Sequence, residues 1–247
     1  MVGIGLPFLT AFVLSLGAVP LCRVAAVRFG FVARPREDRW HRRNVALFGG
    51  VAIASVFLGC AVVFGIARQL PVLTLTAAMM FGVGLVDDVL SLKPSTKLIA
   101  QIALASALLL FDYRLHWLES LTLDTLLTLF WVVGLTNAFN LIDNMDGLCG
   151  GVAMIAGVAL LIHILPQASD VRVLWEARYL AVLLGATGGF LLYNVHPASI
   201  FLGDSGSLLL GFGFAAITLS NSARTAVRSD ILSIVAGPVL VLLFPIF

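Results

Sequence analysis

Charge is what this sequence has least of. Only 11% of its 247 residues are Asp, Glu, Lys or Arg, against about 25% in soluble domains. Hydrophobic residues make up 60%, and mean hydropathy is +1.07. No arrangement of such a chain could hide its apolar surface and still show water a polar coat, so a soluble globular domain is excluded and a bilayer must be the solvent. A net charge of +2 leaves no basic surface for nucleic acid. Cysteine is scarce too: Cys22, Cys60 and Cys149 are scattered through apolar surroundings without metal-site spacing, and read as packing residues. Alternating hydrophobicity is missing, which argues against strands. Soluble domains, low-complexity linkers and internal repeats are also missing. The first apolar run, Leu6 to Val27, is too long for a signal-peptide core and lacks a basic start and a small-residue cleavage site, so it reads as a retained helix.

What the sequence has instead is a series of long apolar runs. A spanning helix needs about 20 mainly apolar residues. The candidate spans are Leu6 to Val27, Val45 to Ala67, Leu70 to Val86, Leu98 to Phe111, Leu121 to Leu141, Val152 to Leu165, Tyr179 to Tyr193, Ser207 to Leu219 and Ile231 to Phe247. The expected fold is all-α, a polytopic transmembrane bundle of about nine spans forming one domain over residues 1–247. The spans from Leu98 and Ser207 are short, so each either borrows flanking polar residues or lies beside a thin, wet part of the protein. Basic residues set the orientation, because positively charged loops stay in the cytoplasm. Arg28, Arg34, Arg36, Arg39, Arg42 and Arg43 crowd "RFGFVARPREDRWHRRN". That places the first loop inside and the N-terminus outside, and alternation brings the loops near Asp87, Asp143 and His196 to the cytoplasm. Topology together with attraction to anionic lipid is the plain reading of that basic loop; contact with substrate is the other.

Carboxylates beside apolar runs demand a reason, since a charge at the centre of a membrane helix costs about 2.5–3.5 kcal/mol on insertion scales. Asp87 and Asp88 stand in "GLVDDVLSLKP", Asp143 and Asp146 in "NAFNLIDNMDGL", and Asp204 in "FLGDSGS". All fall at helix ends on the same expected face. Asn137, Asn140, Asp143 and Asp146 are spaced by three, which aligns neighbours along a helix surface. Hard oxygen ligands without Cys or His point to a hard cation, and magnesium takes one or two carboxylates while phosphates and water complete its shell. Gly147, Gly150, Gly151, Gly203 and Gly206 allow close backbone approach to a bulky anion, and Lys93 and Lys97 add cations. The bland alternative for Asp204 alone is a helix N-cap.

Together, "GLVDDVLSLKPSTKLIAQ", "TNAFNLIDNMDGLCGG" and "YNVHPASIFLGDSGSLLLG" closely resemble the polyprenyl-phosphate N-acetylhexosamine-1-phosphate transferases, multi-span bacterial enzymes of the glycosyltransferase 4 type. The resemblance runs from "RPREDRWHRRNVALFGG" onward. "NLIDNMDGL" and the Asp pair followed by "LSLKPSTK" look more like the branch using UDP-N-acetylglucosamine than the phospho-MurNAc-pentapeptide branch. The resemblance implies transfer of a sugar-1-phosphate from a UDP-sugar to undecaprenyl phosphate at the inner membrane, releasing UMP, with magnesium or manganese as cofactor. It also implies that Asp204 and Asp143 hold the metal, that Asp87 or Asp88 engages the lipid phosphate, and that Asp87, Asp88 and Asp143 form the catalytic set. Lys97 becomes a phosphate-binding cation, Asn140 lines the pocket, Asp146 meets the uracil and Phe201 stacks on it. Asn194 and His41 are further substrate contacts, while His196 reads as a structural cap of backbone carbonyls. Members of this family continue into a basic, histidine-rich cytoplasmic loop, whereas this chain stops at "LVLLFPIF", so a C-terminally truncated member with an incomplete site is expected. The expected partners are the nucleotide sugar, the lipid phosphate and the membrane, with a homodimer left open. A cation-coupled transporter is the rival class, and a degenerate structural protein of the same ancestry the third reading.

Overall fold

The computed structural model describes residues 2–33, 45–118 and 120–222. His41, Trp40, the basic cluster from Arg34 to Arg43 and the span Ile231 to Phe247 lie outside the described residues. The elements in order are α1 (Val2–Phe29), β1 (Val32–Ala33), β2 (Val45–Ala46), α2 (Gly49–Val63), α3 (Ile66–Gln69), α4 (Pro71–Leu90), α5 (Pro94–Leu110), α6 (Leu121–Ile142), α7 (Leu148–Ile164), α8 (Val171–Asn194) and α9 (Gly203–Ser222). Among the described residues four helices are long and apolar enough to cross a membrane, those over Gly3–Phe29, Pro71–Leu90, Leu121–Ile142 and Leu148–Gln167; α2 and α5 are shorter apolar helices.

The chemistry of each segment explains its bounds. Gly65, in the left-handed region at φ 75°, breaks the expected second span into α2 and α3. Pro71 and Pro94 open α4 and α5 in the first turn, where no N–H is needed. The helices at the two short candidate spans start earlier than the apolar runs, α5 at Pro94 and α9 at Gly203. One departure from an all-helical fold is the antiparallel pair β1 and β2, with Val32 facing Ala46 and Ala33 facing Val45. Alternation over two residues is too short to register in a sequence. A bridge from Ala46 to Ile200 extends this pairing, and Gly49 and Gly50 donate to the carbonyls of Phe201 and Leu202.

Helix α9 sits at the centre, buried along its length from Ser205 to Ser220. It packs chiefly against α4 and α6, with α2, α7 and α8 also in contact. A helix apolar on all sides belongs in such a place. The outermost α1 shows the opposite pattern, with Leu6, Leu9, Val13, Leu14, Leu21 and Val24 all more than half exposed. An apolar face of that extent suits lipid rather than water. Because the helices run antiparallel, α4, α6 and α8 end where α2, α5, α7 and α9 begin, as the bonds from Asp88 to α9, Asn140 to Asp204 and Asn194 to Gly147 establish. The five aspartates singled out above, Asp87, Asp88, Asp143, Asp146 and Asp204, therefore meet at one end of the bundle.

Candidate active site

Asp87 and Asp88 lie in the last turn of α4, about 100° apart around the axis, and they serve different neighbours. Asp87 accepts from the Leu92 N–H at 2.6 Å and from the Lys97 ammonium at 2.7 Å. Asp88 turns to α9, its Oδ1 accepting from the Asp204 N–H at 2.8 Å and its Oδ2 from the Ser205 N–H at 3.0 Å. Asp88 thus supplies a carboxylate cap from another helix to the otherwise unpaired donors at the start of α9. The close approach depends on glycine. A Cβ on Gly84, four residues before Asp88, would overlap the backbone of Asp204 and Ser205, and one on Gly50 would overlap Gly206. Gly203 holds φ at +76°, and a Cβ there would stand 2.9 Å from Asp88 Oδ2.

Asp204 is the hub. Its Oδ2 accepts from Lys97 Nζ at 2.9 Å and its Oδ1 from Asn140 Nδ2 at 2.8 Å; the same Asn140 amide reaches Ser207 Oγ at 3.0 Å. Side-chain exposure is 6% for Asp87, 22% for Lys97 and 32% for Asp204. Asp87 therefore forms the floor, and Lys97 and Asp204 are the members of this trio open to solvent. Asp143 follows the last residue of α6. Burial, then the Asp204 and Asp88 carboxylates, push its carboxyl well above the usual range, partly offset by the Gly203 N–H.

The remaining expected residues form the rim. Asp146 Oδ2 accepts from the Ala198 N–H at 3.0 Å and lies 3.0 Å from His196 Nδ1. His196 thus meets a carboxylate side chain where a backbone carbonyl was expected. Asn194 is buried; its Oδ1 accepts from Gly147 N at 3.1 Å and its Nδ2 donates to Ile200 O at 2.9 Å. Its amide is engaged by backbone and ties the start of α7 to the segment carrying Phe201. Phe201 itself is half-buried, and its N–H donates to Ala46 O at 2.8 Å. Sequence reasoning missed Ser207, Gly50 and Gly84, whose parts depend on a distant segment, and Gln101, whose four-residue spacing from Lys97 was a signal available in "KLIAQ".

The donor set suits a hard divalent cation. Asp87 and Asp204 hold the Lys97 ammonium between them, and Asp88 and Asp143 stand next to Asp204. Among the described residues no three His, Cys, Asp or Glu side chains form a metal cage on their own. Magnesium does not require one, because it takes one or two carboxylates and completes its shell with phosphate and water.

A family model for glycosyl transferase family 4 matches residues 70–222, the stretch that carries every residue of this cluster. The chain belongs to glycosyl transferase family 4. Its relatives include a probable undecaprenyl-phosphate N-acetylglucosaminyl 1-phosphate transferase of Bacillus subtilis, 29% identical over 100% of this chain and 70% of the relative. A decaprenyl-phosphate N-acetylglucosaminephosphotransferase of Mycolicibacterium smegmatis is 34% identical over 82% of this chain. A phospho-N-acetylmuramoyl-pentapeptide-transferase of a Synechococcus strain is 35% identical over 89% of this chain and 68% of the relative. The chain spans 56% of the mycolicibacterial relative's length. Within glycosyl transferase family 4, then, it resembles both the N-acetylglucosamine and the muramoyl-pentapeptide branches.

Proposed function

We propose that this member of glycosyl transferase family 4 transfers a sugar-1-phosphate, GlcNAc-1-phosphate above all, from a UDP-sugar to undecaprenyl phosphate at the cytoplasmic face of a bacterial plasma membrane. The observation that carries this reading is the meeting of Asp87, Asp88, Lys97, Asn140, Asp143 and Asp204 at one end of the bundle, from four separate helix ends. In the reaction an oxygen of the lipid phosphate attacks the phosphorus that bears the sugar. A new P–O bond forms, the bond from that phosphorus to the bridging oxygen breaks, and UMP departs with the electron pair.

The obstacle is repulsion between anions: two unit charges at 4 Å repel by about 4 kcal/mol at an effective dielectric of 20. Lys97 places an ammonium where the phosphates approach, with Asp87 beneath it and Asp204 beside it fixing its position. Asp143 and Asp204 would hold magnesium, which supplies charge neutralisation on the diphosphate. Asn140 orients Asp204, and Asp88 fixes the backbone from which Asp204 projects. A phosphate monoester is already largely ionised at neutral pH, so Asp87 serves to position rather than to remove a proton. Asp146 and Phe201, at the rim, are the proposed contacts for the uracil, and Asn194 shapes that rim; His41 is proposed as a further contact. The GlcNAc branch is favoured by the names of the Bacillus and mycolicibacterial relatives. The transporter reading is disfavoured, because transporters set their carboxylates near the bilayer midplane and these stand in the first or last turns of their helices.

Membranes carrying the chain, given radiolabelled UDP-GlcNAc, undecaprenyl phosphate and magnesium, should yield labelled lipid and UMP, with chelation stopping both. Asp204→Asn should lower the rate about a hundredfold or more, the scale of losing one preorganised electrostatic group. Transfer from UDP-MurNAc-pentapeptide alone would move the assignment to the other branch, and transfer undiminished in Asp204→Asn would refute the site.

A further inference from the structure

Gln101 and Asn137 join α5 to α6 through a reciprocal amide pair. Gln101 Nε2 donates to Asn137 Oδ1 at 3.2 Å, and Asn137 Nδ2 donates to Gln101 Oε1 at 2.6 Å. The Asn137 amide also donates to the Val133 carbonyl at 2.7 Å, so an amide in an apolar segment finds partners on both helices. Gln101 is 1% exposed. It heads the buried face of α5, which continues through Leu104, Ala105 and Leu108, and it is the polar member of that face.

The pair stands one helical turn inside the candidate active site on both helices. Lys97 precedes Gln101 by four residues on α5, and Asn140 follows Asn137 by three on α6; residues so spaced share a helix face. Each amide is therefore stacked beneath a side chain that touches Asp204. Helix α5 has its extensive contacts with α4 and α6. Its apolar face can slide along α6 with little change in contact, because dispersion is non-directional. Two paired amides cannot, since hydrogen bonds weaken steeply with distance and angle.

We propose that the Gln101–Asn137 pair sets the axial register of α5 against α6 and thereby holds Lys97 between Asp87 and Asp204. Both are positioning residues, acting through Lys97 and Asn140 rather than on substrate. The catalytic consequence rests on the transferase reading above; the geometric one does not.

The chain has two lysines, Lys93 and Lys97, and Lys93 is exposed, so it serves as an internal reference. The full chain in detergent is acylated with a small amine-reactive ester, and the labelling rates at the two lysines are read by mass spectrometry. Gln101→Met keeps length and volume but removes the amide. Asn137→Leu alters a side chain that is exposed on the surface of the bundle, so it tests the pair without disturbing the core. Each should raise the Lys97 to Lys93 ratio about three- to tenfold, the range for interhelical hydrogen bonds in membranes. The exchange Gln101→Asn with Asn137→Gln should return the ratio most of the way to that of the parent chain. In the transfer assay the single variants should lose kcat with little change in KM for the nucleotide sugar. An unchanged ratio in both single variants overturns the proposal, as does equal acceleration at both lysines; a raised ratio with unaltered kcat overturns its catalytic consequence. Should the parent chain transfer no sugar phosphate at all, the transferase reading fails while the labelling ratio still decides the register claim.

Discussion

Replacing Asp88 separates two jobs that a carboxylate at this position could do. Its two oxygens accept two N–H groups of the first turn of α9, from Asp204 and Ser205, which makes it a cap delivered from another helix. Losing a capping side chain costs about 1 kcal/mol, within a span of about 0.5–2. Losing the negative charge at the positive end of a helix adds about 0.3–1 kcal/mol. Asp88→Ala should therefore destabilise the protein by about 1–3 kcal/mol. At about 2–4 °C per kcal/mol for a chain of this size, Tm should fall by about 3–10 °C. Asp88→Asn keeps one acceptor and should fall about half as far.

The protein carries its own reporters for that measurement. Cys60 and Cys149 are buried, at 3% and 1% exposure, so a thiol-reactive dye added to the detergent-solubilised chain lights up as the bundle opens. Cys22, half-buried on α1, is first replaced by Ser to lower the background. Turnover should fall along with Tm, because the backbone that carries Asp204 loosens. The reasoning is refuted if both variants keep the parent Tm within about 1 °C, below the smallest shift expected, and yet abolish transfer. Asp88 would then act on the substrate, and its bonds to α9 would be incidental.

Other perturbations test the rest of the geometry. Gly203→Ala places a side chain at a positive φ, costing about 1–2 kcal/mol, and drives its Cβ into the Asp88 carboxylate; a Tm loss smaller than about 2 °C would count against this reading of the turn. Gly84→Val should be worse, since its side chain meets α9 backbone rather than a movable group, and retention of folded protein in detergent by size exclusion checks it. Asp143 titrates above the ordinary range on folding, and a carboxyl raised in this way favours the folded state only while protonated, so its contribution is lost as pH rises through the folded value. Asp143→Asn should therefore raise Tm at neutral pH in chelator while lowering transfer; a lower Tm would show that the ionised carboxylate is stabilised after all. Lys97→Met removes the ammonium that separates Asp87 from Asp204 and should cost about a hundredfold or more in rate, read in the same lipid-labelling assay.

Much of this architecture was open to reading from residue types alone, and the reason is the solvent. In hydrocarbon every backbone donor must be satisfied within its own segment, so apolar runs of bilayer length are helices, and α1, α4, α6 and α7 lie where those runs lie. Helix ends were harder. Pro94 and Gly203 are breakers by composition, yet they open α5 and α9 because proline is tolerated where no N–H is required and glycine supplies the left-handed turn. That shift of a turn at each end carries Lys97 and Asp204 onto helices, where their directions are set by the helix rather than by a loop.

The division of labour inside the cluster was out of reach for a different reason. Asp87 and Asp88 are chemically identical neighbours, and only the rotation of α4 relative to α5 and α9 decides which of them grips Lys97 and which caps α9. That rotation follows from Gly84. One turn before Asp88, it lets the backbone of α9 come close enough for a carboxylate on α4 to reach two N–H groups at once. A glycine within an apolar run looks the same in a sequence whether it has open space around it, as Gly82 does, or faces the centre of the bundle. The division of contacts between Asp87 and Asp88 therefore turns on a residue without a side chain. Exchanging the glycine of Gly84 for alanine should disturb Asp88 and Asp204 together while leaving the contact of Asp87 with Lys97 in place, the reverse of what a single undivided acidic cluster would show.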